Sequence, residues 1–151
     1  MSLEKGEKVP KFELKDQHGK LFESDSIIGE KPVVIYFYPK DFTPGCTKEA
    51  CSFRDSYEDF QEAGAEVIGI SNDSEASHAK FSKKFKLPFT LLSDEKGRVR
   101  KKFGIKKSLL GLVPGRETFV INADGEVIFK FNSLDASKHK QKALKAIKKL
   151  Q

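Results

Sequence analysis

Apolar and polar residues alternate through KFELKDQHGKLFE (Lys11–Glu23) on either side of Gln17-His18-Gly19, which predicts a hairpin of two half-buried strands at the N-terminus. KPVVIYFYP (Lys31–Pro39) breaks that rhythm. Its unbroken β-branched and aromatic run from Val33 to Tyr38 suits a strand covered on both faces, as in a central parallel sheet. From Thr43 the period becomes helical and runs to about Ala63, where Gly64 supplies a stop. AEVIGIS (Ala65–Ser71) is a second buried strand.

Glu75–Phe85 reads as a helix with Ala79, Phe81 and Phe85 among its apolar positions, and Pro88 follows shortly after. FTLLSD (Phe89–Asp94) is a short strand and Gly97–Phe103 a short helix. TFVINADGEVIFKF (Thr118–Phe131) is a hairpin turning at Ala123-Asp124-Gly125. Ala136–Leu150 closes the chain as a helix whose Ala143, Leu144, Ile147 and Leu150 face inward while its lysines face water. Strands alternating with helices, followed by an antiparallel hairpin, imply a mixed central sheet flanked by helices: a thioredoxin-like α/β arrangement with an added N-terminal hairpin.

The 151 residues suit one domain with one core, spanning 1–151, and no repeat or linker divides them. No apolar run approaches the roughly 20 residues needed to cross a bilayer, and MSLEKGEKVPKFE lacks the apolar stretch of a secretory signal, so neither export nor membrane insertion is expected. A net charge of +6 raises the question of nucleic acid, but the lysines and arginines of RVRKKFGIKK (Arg98–Lys107) and of the last helix accompany no base-stacking pattern. They read as a solvated basic face.

The only two cysteines, Cys46 and Cys51, lie together in TPGCTKEAC, too few for the disulfide framework of a small secreted domain. In a reducing compartment such a pair points to catalysis, redox sensing or metal binding. Thr43 stands where an N-cap belongs and Pro44 at the first helical position. Cys46 is then the third helical residue, beside free backbone N–H groups and the positive end of the helix dipole, a setting that favours thiolate over thiol. Gly45 keeps the approach to the sulfur open.

Five residues of helix put the two Cα atoms roughly 8.6 Å apart and about 140° around the axis, beyond the roughly 7 Å limit of a disulfide. A bond between them requires the first turns of that helix to unwind. The spacing fits a first cysteine that reacts alone with something small, becomes a sulfenic acid, and then condenses with the second thiol. It argues against a dithiol–disulfide oxidoreductase of the Cys-x-x-Cys kind. Zinc is a poor alternative, because His18, His78 and His139 are scattered and the cysteines lack ligand spacing.

Pro39, Thr43 and Cys46 in PKDFTPGC match the Pro-x-x-x-Thr-x-x-Cys signature, and with TKEACSFRD, AGAEVIGIS, LPFTLLSD and VPGRETFVI the chain resembles the peroxiredoxins over nearly its whole length, in particular their Q-type, or bacterioferritin-comigratory, subfamily. The resemblance implies that Cys46 is the peroxidatic cysteine and Cys51 the resolving one, joined in an intramolecular disulfide. Thr43 would hydrogen-bond near the thiolate and peroxide, Pro39 would shield the sulfur from water, Arg116 would support the thiolate and polarise the peroxide, and Glu49 would orient an arginine. It implies further a thiol peroxidase for hydrogen peroxide and alkyl hydroperoxides, recycled by thioredoxin or glutaredoxin, with no metal or organic cofactor. A monomer suits the intramolecular disulfide, and the setting is the cytoplasm or, after loss of a presequence, an organelle stroma or matrix.

Phe103-Gly104-Ile105 stands where many such proteins carry Trp-Gly-Val, and the Leu-rich FGIKKSLLGLVPG (Phe103–Gly115) reads either as a pocket wall favouring apolar hydroperoxides or as ordinary packing. A redox sensor or holdase switched by the same disulfide uses identical cysteines and stays open beside the peroxidase.

Overall fold

The computed structural model describes residues 3–105 and 115–150. Most of the Leu-rich stretch, residues 106–114, lies outside that range. Seven strands form one mixed sheet: β1 (Glu13–Asp16), β2 (Leu21–Glu23), β3 (Val33–Phe37), β4 (Glu66–Ser71), β5 (Thr90–Ser93), β6 (Glu117–Ile121) and β7 (Val127–Asn132), in the order β2-β1-β5-β4-β3-β6-β7. β3, β4 and β5 run parallel, while the β1–β2 hairpin and the β6–β7 hairpin add antiparallel edges on either side. This is the thioredoxin-like arrangement expected, with the N-terminal hairpin in place.

Every residue of β3 is buried, because both faces of the sheet are covered. Val34 and Tyr36 pack with Ala50, Phe53, Phe60, Phe81, Ala143 and Ile147. Val33, Ile35 and Phe37 face the other way, onto Ile68, Ile70, Val99, Phe103 and Phe119. Five helices supply these layers: α1 (Pro44–Asp55), α2 (Tyr57–Glu62), α3 (Glu75–Phe85), α4 (Arg98–Lys102) and α5 (His139–Lys148). Among the described residues no helix is long and apolar enough to cross a membrane.

Four local expectations change. The helix predicted to run from Thr43 to Ala63 breaks at Ser56, whose φ of −109° and ψ of 8° leave the helical region. With no Gly or Pro there, the apolar period reads straight through the break, and Gly64, at φ +79°, closes α2 as expected. Ala79 of α3 is exposed, and the inward stripe is His78, Phe81 and the half-buried Phe85. The last helix starts as a 3-10 turn over Ala136–Lys138 before α5, and Leu150 lies beyond it, 42% exposed, so it does not join Ala143 and Ile147 in the core. Finally, the run Arg98–Lys107 is not wholly a solvated face, since Arg100 is buried.

Candidate active site

The chain leaves the centre of the sheet at Tyr38, turns through Pro39–Phe42 and enters α1, so Cys46 sits at the end of β3 and is 1% exposed. Thr43 has the extended backbone of an N-cap, and its carbonyl accepts the Thr47 N–H at 2.9 Å. Its hydroxyl does not cap the helix. It donates instead to the Lys40 carbonyl, also at 2.9 Å, which leaves the first-turn N–H groups without a side-chain partner among the described residues. Those groups and the aligned peptide dipoles are therefore available to an anion at the sulfur.

Arg116, immediately before β6, reaches across the sheet to the same place. Its Nη2 lies 3.3 Å from the Cys46 Sγ, its Nη1 donates to Glu49 Oε1, and its Nε donates to the Leu134 carbonyl at 3.1 Å. Three donors of one planar fork are thus committed, and the guanidinium has no freedom to leave the sulfur. Gly45 makes room for it: a Cβ at that position would lie 3.2 Å from Arg116 Nη2. The openness expected of Gly45 is therefore occupied by the arginine.

Glu49, one turn after Cys46, is completely buried. Burial pushes its carboxyl up to about 8, and the Arg116 charge, which pulls in the opposite direction, does not cancel the effect. Pro39 is half-buried in the turn leading to α1, and Cys51 is half-buried further along that helix. Both cysteines are free thiols. The structure therefore gathers Cys46, Glu49, Arg116, Thr43 and Pro39 around the start of α1, with Cys51 held on another side of the same helix.

Several residues that shape this site were not singled out in the sequence. Arg100 donates from Nη2 to the Tyr38 carbonyl at 2.8 Å and from Nη1 to the Gly115 carbonyl at 2.7 Å, which ties the strand end carrying Pro39 to the backbone carrying Arg116. Asp41 accepts from the Tyr38 and Ser77 hydroxyls at 2.6 and 2.8 Å and lies 2.7 Å from His78 Nδ1, while its own N–H donates to Asp73 at 2.8 Å. This network fixes the turn in which Phe42 holds a left-handed φ of +67°, an uncommon conformation for a bulky side chain. Asp41, Asp73 and His78 each offer a ligand atom within 4.8 Å of the others, but these atoms are already satisfied by one another and by neighbouring hydroxyl and amide groups.

Behind Glu49, His139 of α5 lies between the Thr118 hydroxyl and the Ser133 carbonyl, each at 2.7 Å. A signal for these residues existed. His139 is in step with Ala143, Ala146 and Ile147, His78 with Phe81 and Phe85, and Arg100 with Val99 and Phe103, so each polar side chain sits on a stripe of buried positions.

An anion site at an uncapped helix start, with a sulfur in it and an arginine on the sulfur, carried on this sheet, places the chain among the thioredoxin-fold thiol proteins. The AhpC/TSA family pattern matches residues 5–130, and the chain belongs to that family, in its peroxiredoxin Q branch. It is 54% identical over 147 residues to the chloroplastic peroxiredoxin Q of Sedum lineare, covering 97% of this chain and 78% of that protein. The crystal structure of peroxidoxin BcpB from Mycobacterium tuberculosis superposes with a TM-score of 0.91 at 39% identity over 99% of both chains. The Xanthomonas campestris bacterioferritin comigratory protein, solved in a trapped intermediate/ligand complex bearing on its alkyl peroxide reduction activity, superposes with a TM-score of 0.85 at 34% identity, covering 92% of this chain and 91% of that one.

Proposed function

We propose that this chain, acting as a monomer from one domain, reduces hydrogen peroxide and alkyl hydroperoxides through Cys46 and returns to its starting state by a Cys46–Cys51 disulfide that thioredoxin reduces. The observation that carries this reading is the Arg116 guanidinium 3.3 Å from a buried sulfur at an uncapped helix N-terminus. The alkyl peroxide reduction named for the Xanthomonas protein supports the substrate class. The chloroplastic names of the plant relatives support an organelle setting.

The thiolate attacks the terminal oxygen of ROOH. An S–O bond forms, the O–O bond breaks, and the departing RO⁻ takes a proton to leave as ROH. Charge moves from sulfur onto the departing oxygen, so donors already in place stabilise the transition state more than the ground state. Arg116 and the free N–H groups of α1 are such donors. The Thr43 hydroxyl, having given its hydrogen to Lys40, presents lone pairs that accept the peroxide O–H. Pro39 closes the water side of the sulfur. The Cys51 thiolate then attacks the sulfenic sulfur, forming S–S and expelling the oxygen as water once a proton is added.

The test couples NADPH oxidation, through thioredoxin reductase and thioredoxin, to added peroxide. Wild type should turn over and Cys46→Ser should not; turnover that survives in Cys46→Ser ends the proposal. Intact mass after one equivalent of peroxide tests resolution: wild type loses two hydrogens, whereas Cys51→Ser gains an oxygen. Addition of oxygen to wild type without hydrogen loss would remove Cys51 from the cycle.

A further inference from the structure

Behind the sulfur, Glu49 presents two oxygens with different fates. Oε1 accepts from Arg116 Nη1, whereas Oε2 is buried without a hydrogen-bond partner among the described residues, and the polar atom facing it is His139 Nδ1 at 3.6 Å. The protonation of His139 follows from its own contacts. The Ser133 carbonyl can only accept, so the Nε2 at 2.7 Å carries a hydrogen. Burial pushes the imidazole down to about 4, with the Arg116 charge acting in the same sense against the Ser133 carbonyl and Asp135, so the ring holds no second proton at neutral pH. Nδ1 is therefore a bare lone pair, into which the Thr118 hydroxyl donates at 2.7 Å.

An ionised Glu49 would set a carboxylate oxygen against that lone pair with no donor between them, out of reach of water. A proton on Oε2 removes the repulsion. It also changes the charge balance at the sulfur. With Glu49 ionised, two buried anions would share one guanidinium; with Glu49 neutral, Oε1 still accepts from Nη1 while the whole positive charge faces Sγ. The titratable and charged groups facing Glu49 are Arg116 at the entry to β6, His139 from α5, Cys46 on its own helix and the buried Tyr36 hydroxyl of β3. Around His139 stand Glu49, Arg116, Asp135, the Thr118 hydroxyl and the edge of the Phe131 ring.

We propose that His139 is a positioning residue for peroxide reduction, tempered by the Thr118 hydroxyl that donates to it: the unprotonated Nδ1 of His139, facing an unpartnered oxygen, holds Glu49 as the uncharged acid and so leaves the charge of Arg116 undivided for the Cys46 thiolate. This rests on the assignment of Cys46 as the reacting sulfur.

Two measurements test it. The first is the infrared band of a protonated carboxyl in reduced Cys46→Ser protein, compared with the same protein carrying Glu49→Gln. The band should be present at pH 7, fade as pH rises through about 8 and be missing in the Gln variant. Its absence at pH 7 overturns the proposal whatever the turnover. Conversely, a wild type without turnover but with the band titrating as expected would sink the peroxidase reading and leave the protonation of Glu49 standing.

The second is the pH profile of kcat/KM for peroxide. It should show a descending limb that leaves the value at pH 9 about tenfold below its plateau, as an acid titrating near 8 becomes nine-tenths ionised. His139→Phe removes both the lone pair and the acceptor that the acid could use, so the limb should move to lower pH. Thr118→Val removes the hydroxyl that occupies Nδ1, freeing that atom for the Glu49 proton, so the limb should move to higher pH. A merely structural pair would lower the rate without moving the limb in opposite directions. An unmoved limb, or one that moves the same way in both variants, overturns the proposal.

Discussion

Gly45 and Arg116 compete for one small volume: a Cβ on Gly45 would lie 3.2 Å from Arg116 Nη2, the nitrogen that faces the Cys46 sulfur. Because Arg116 is also held at Nε and Nη1, it can yield only by giving up part of that set. Gly45→Ala should therefore reduce kcat/KM for peroxide about tenfold, equivalent to ~1.4 kcal/mol of transition-state stabilisation. The thermal midpoint should hold or rise, since Ala is the better helix former by roughly 0.5–1 kcal/mol. Unchanged kinetics in the Ala variant would remove the steric argument.

Arg100 bridges two carbonyls that belong to different parts of the site, those of Tyr38 and Gly115. Arg100→Met should strand both acceptors, each at a cost of roughly 1–3 kcal/mol when buried. Urea denaturation should show the loss, and peroxide turnover should fall with it. Arg100→Lys should restore little of either, because a single ammonium cannot span two acceptors as the planar fork does. Full rescue by Lys would mean that charge alone matters there.

His78 faces acceptors from both ring nitrogens: the Leu92 carbonyl at 2.9 Å and the Asp41 carboxylate at 2.7 Å. His78→Leu leaves the buried Asp41 oxygen without that partner, which should cost roughly 1–3 kcal/mol in chemical denaturation. His78→Leu combined with Asp41→Asn should recover part of the loss. A double variant less stable than His78→Leu alone would contradict the pairing.

The two titrating groups behind the sulfur give stability opposite slopes with pH. Glu49 rises on folding from 4.5 to about 8, so its contribution is full below 4.5 and lost as pH climbs to 8. His139 falls from 6.5 to about 4, so its contribution is full above 6.5 and lost as pH drops towards 4. Reduced Cys46→Ser protein, which lacks the Cys46 thiol, should lose urea resistance between pH 6.5 and 8. Adding Glu49→Gln should flatten that limb and steepen the acid limb, because between pH 4.5 and 6.5 the Glu49 slope otherwise offsets that of His139. A basic limb that persists with Gln at this position would assign the effect elsewhere.

Closing the Cys46–Cys51 bond requires α1 to unwind, because its helical geometry holds the Cα atoms roughly 8.6 Å apart. Amide hydrogen exchange of the disulfide form should therefore rise sharply over 43–52 relative to the thiol form. Protection should persist around Phe53, whose ring stacks on Tyr36 with centroids 4.6 Å apart and planes at 11°. Equal protection over 43–52 in both forms would rule out the rearrangement.

The strands and the cysteine helix were legible in the sequence because each is written locally. Val33–Phe37 announces burial by its run of β-branched and aromatic residues, and Thr43-Pro44-Gly45 announces a helix start. Arg116 and Glu49 came from the resemblance, since nothing within PGRET or TKEAC says that those side chains meet. Arg100, His78 and His139 were missed for a different reason. Lys-rich surroundings and a habit of placing charge outside hid the fact that each lies on an apolar stripe. Their partners, Tyr38, Asp41 and Thr118, are distant in sequence, so only the fold reveals the pairing.

The break at Ser56 and the stack of Phe53 on Tyr36 bear on what repeated turnover does to the protein as a material. Arg54 adds a second tether, donating from Nη1 to the Phe85 carbonyl at 2.8 Å, so the rear of α1 is fastened at two points. Ahead of Phe53 the buried side chains of α1 are Cys46, Glu49 and Ala50. In the proposed cycle each opening would withdraw one methyl, one carboxyl and the sulfur itself, while Phe53, the largest buried side chain of α1, would keep its place on Tyr36.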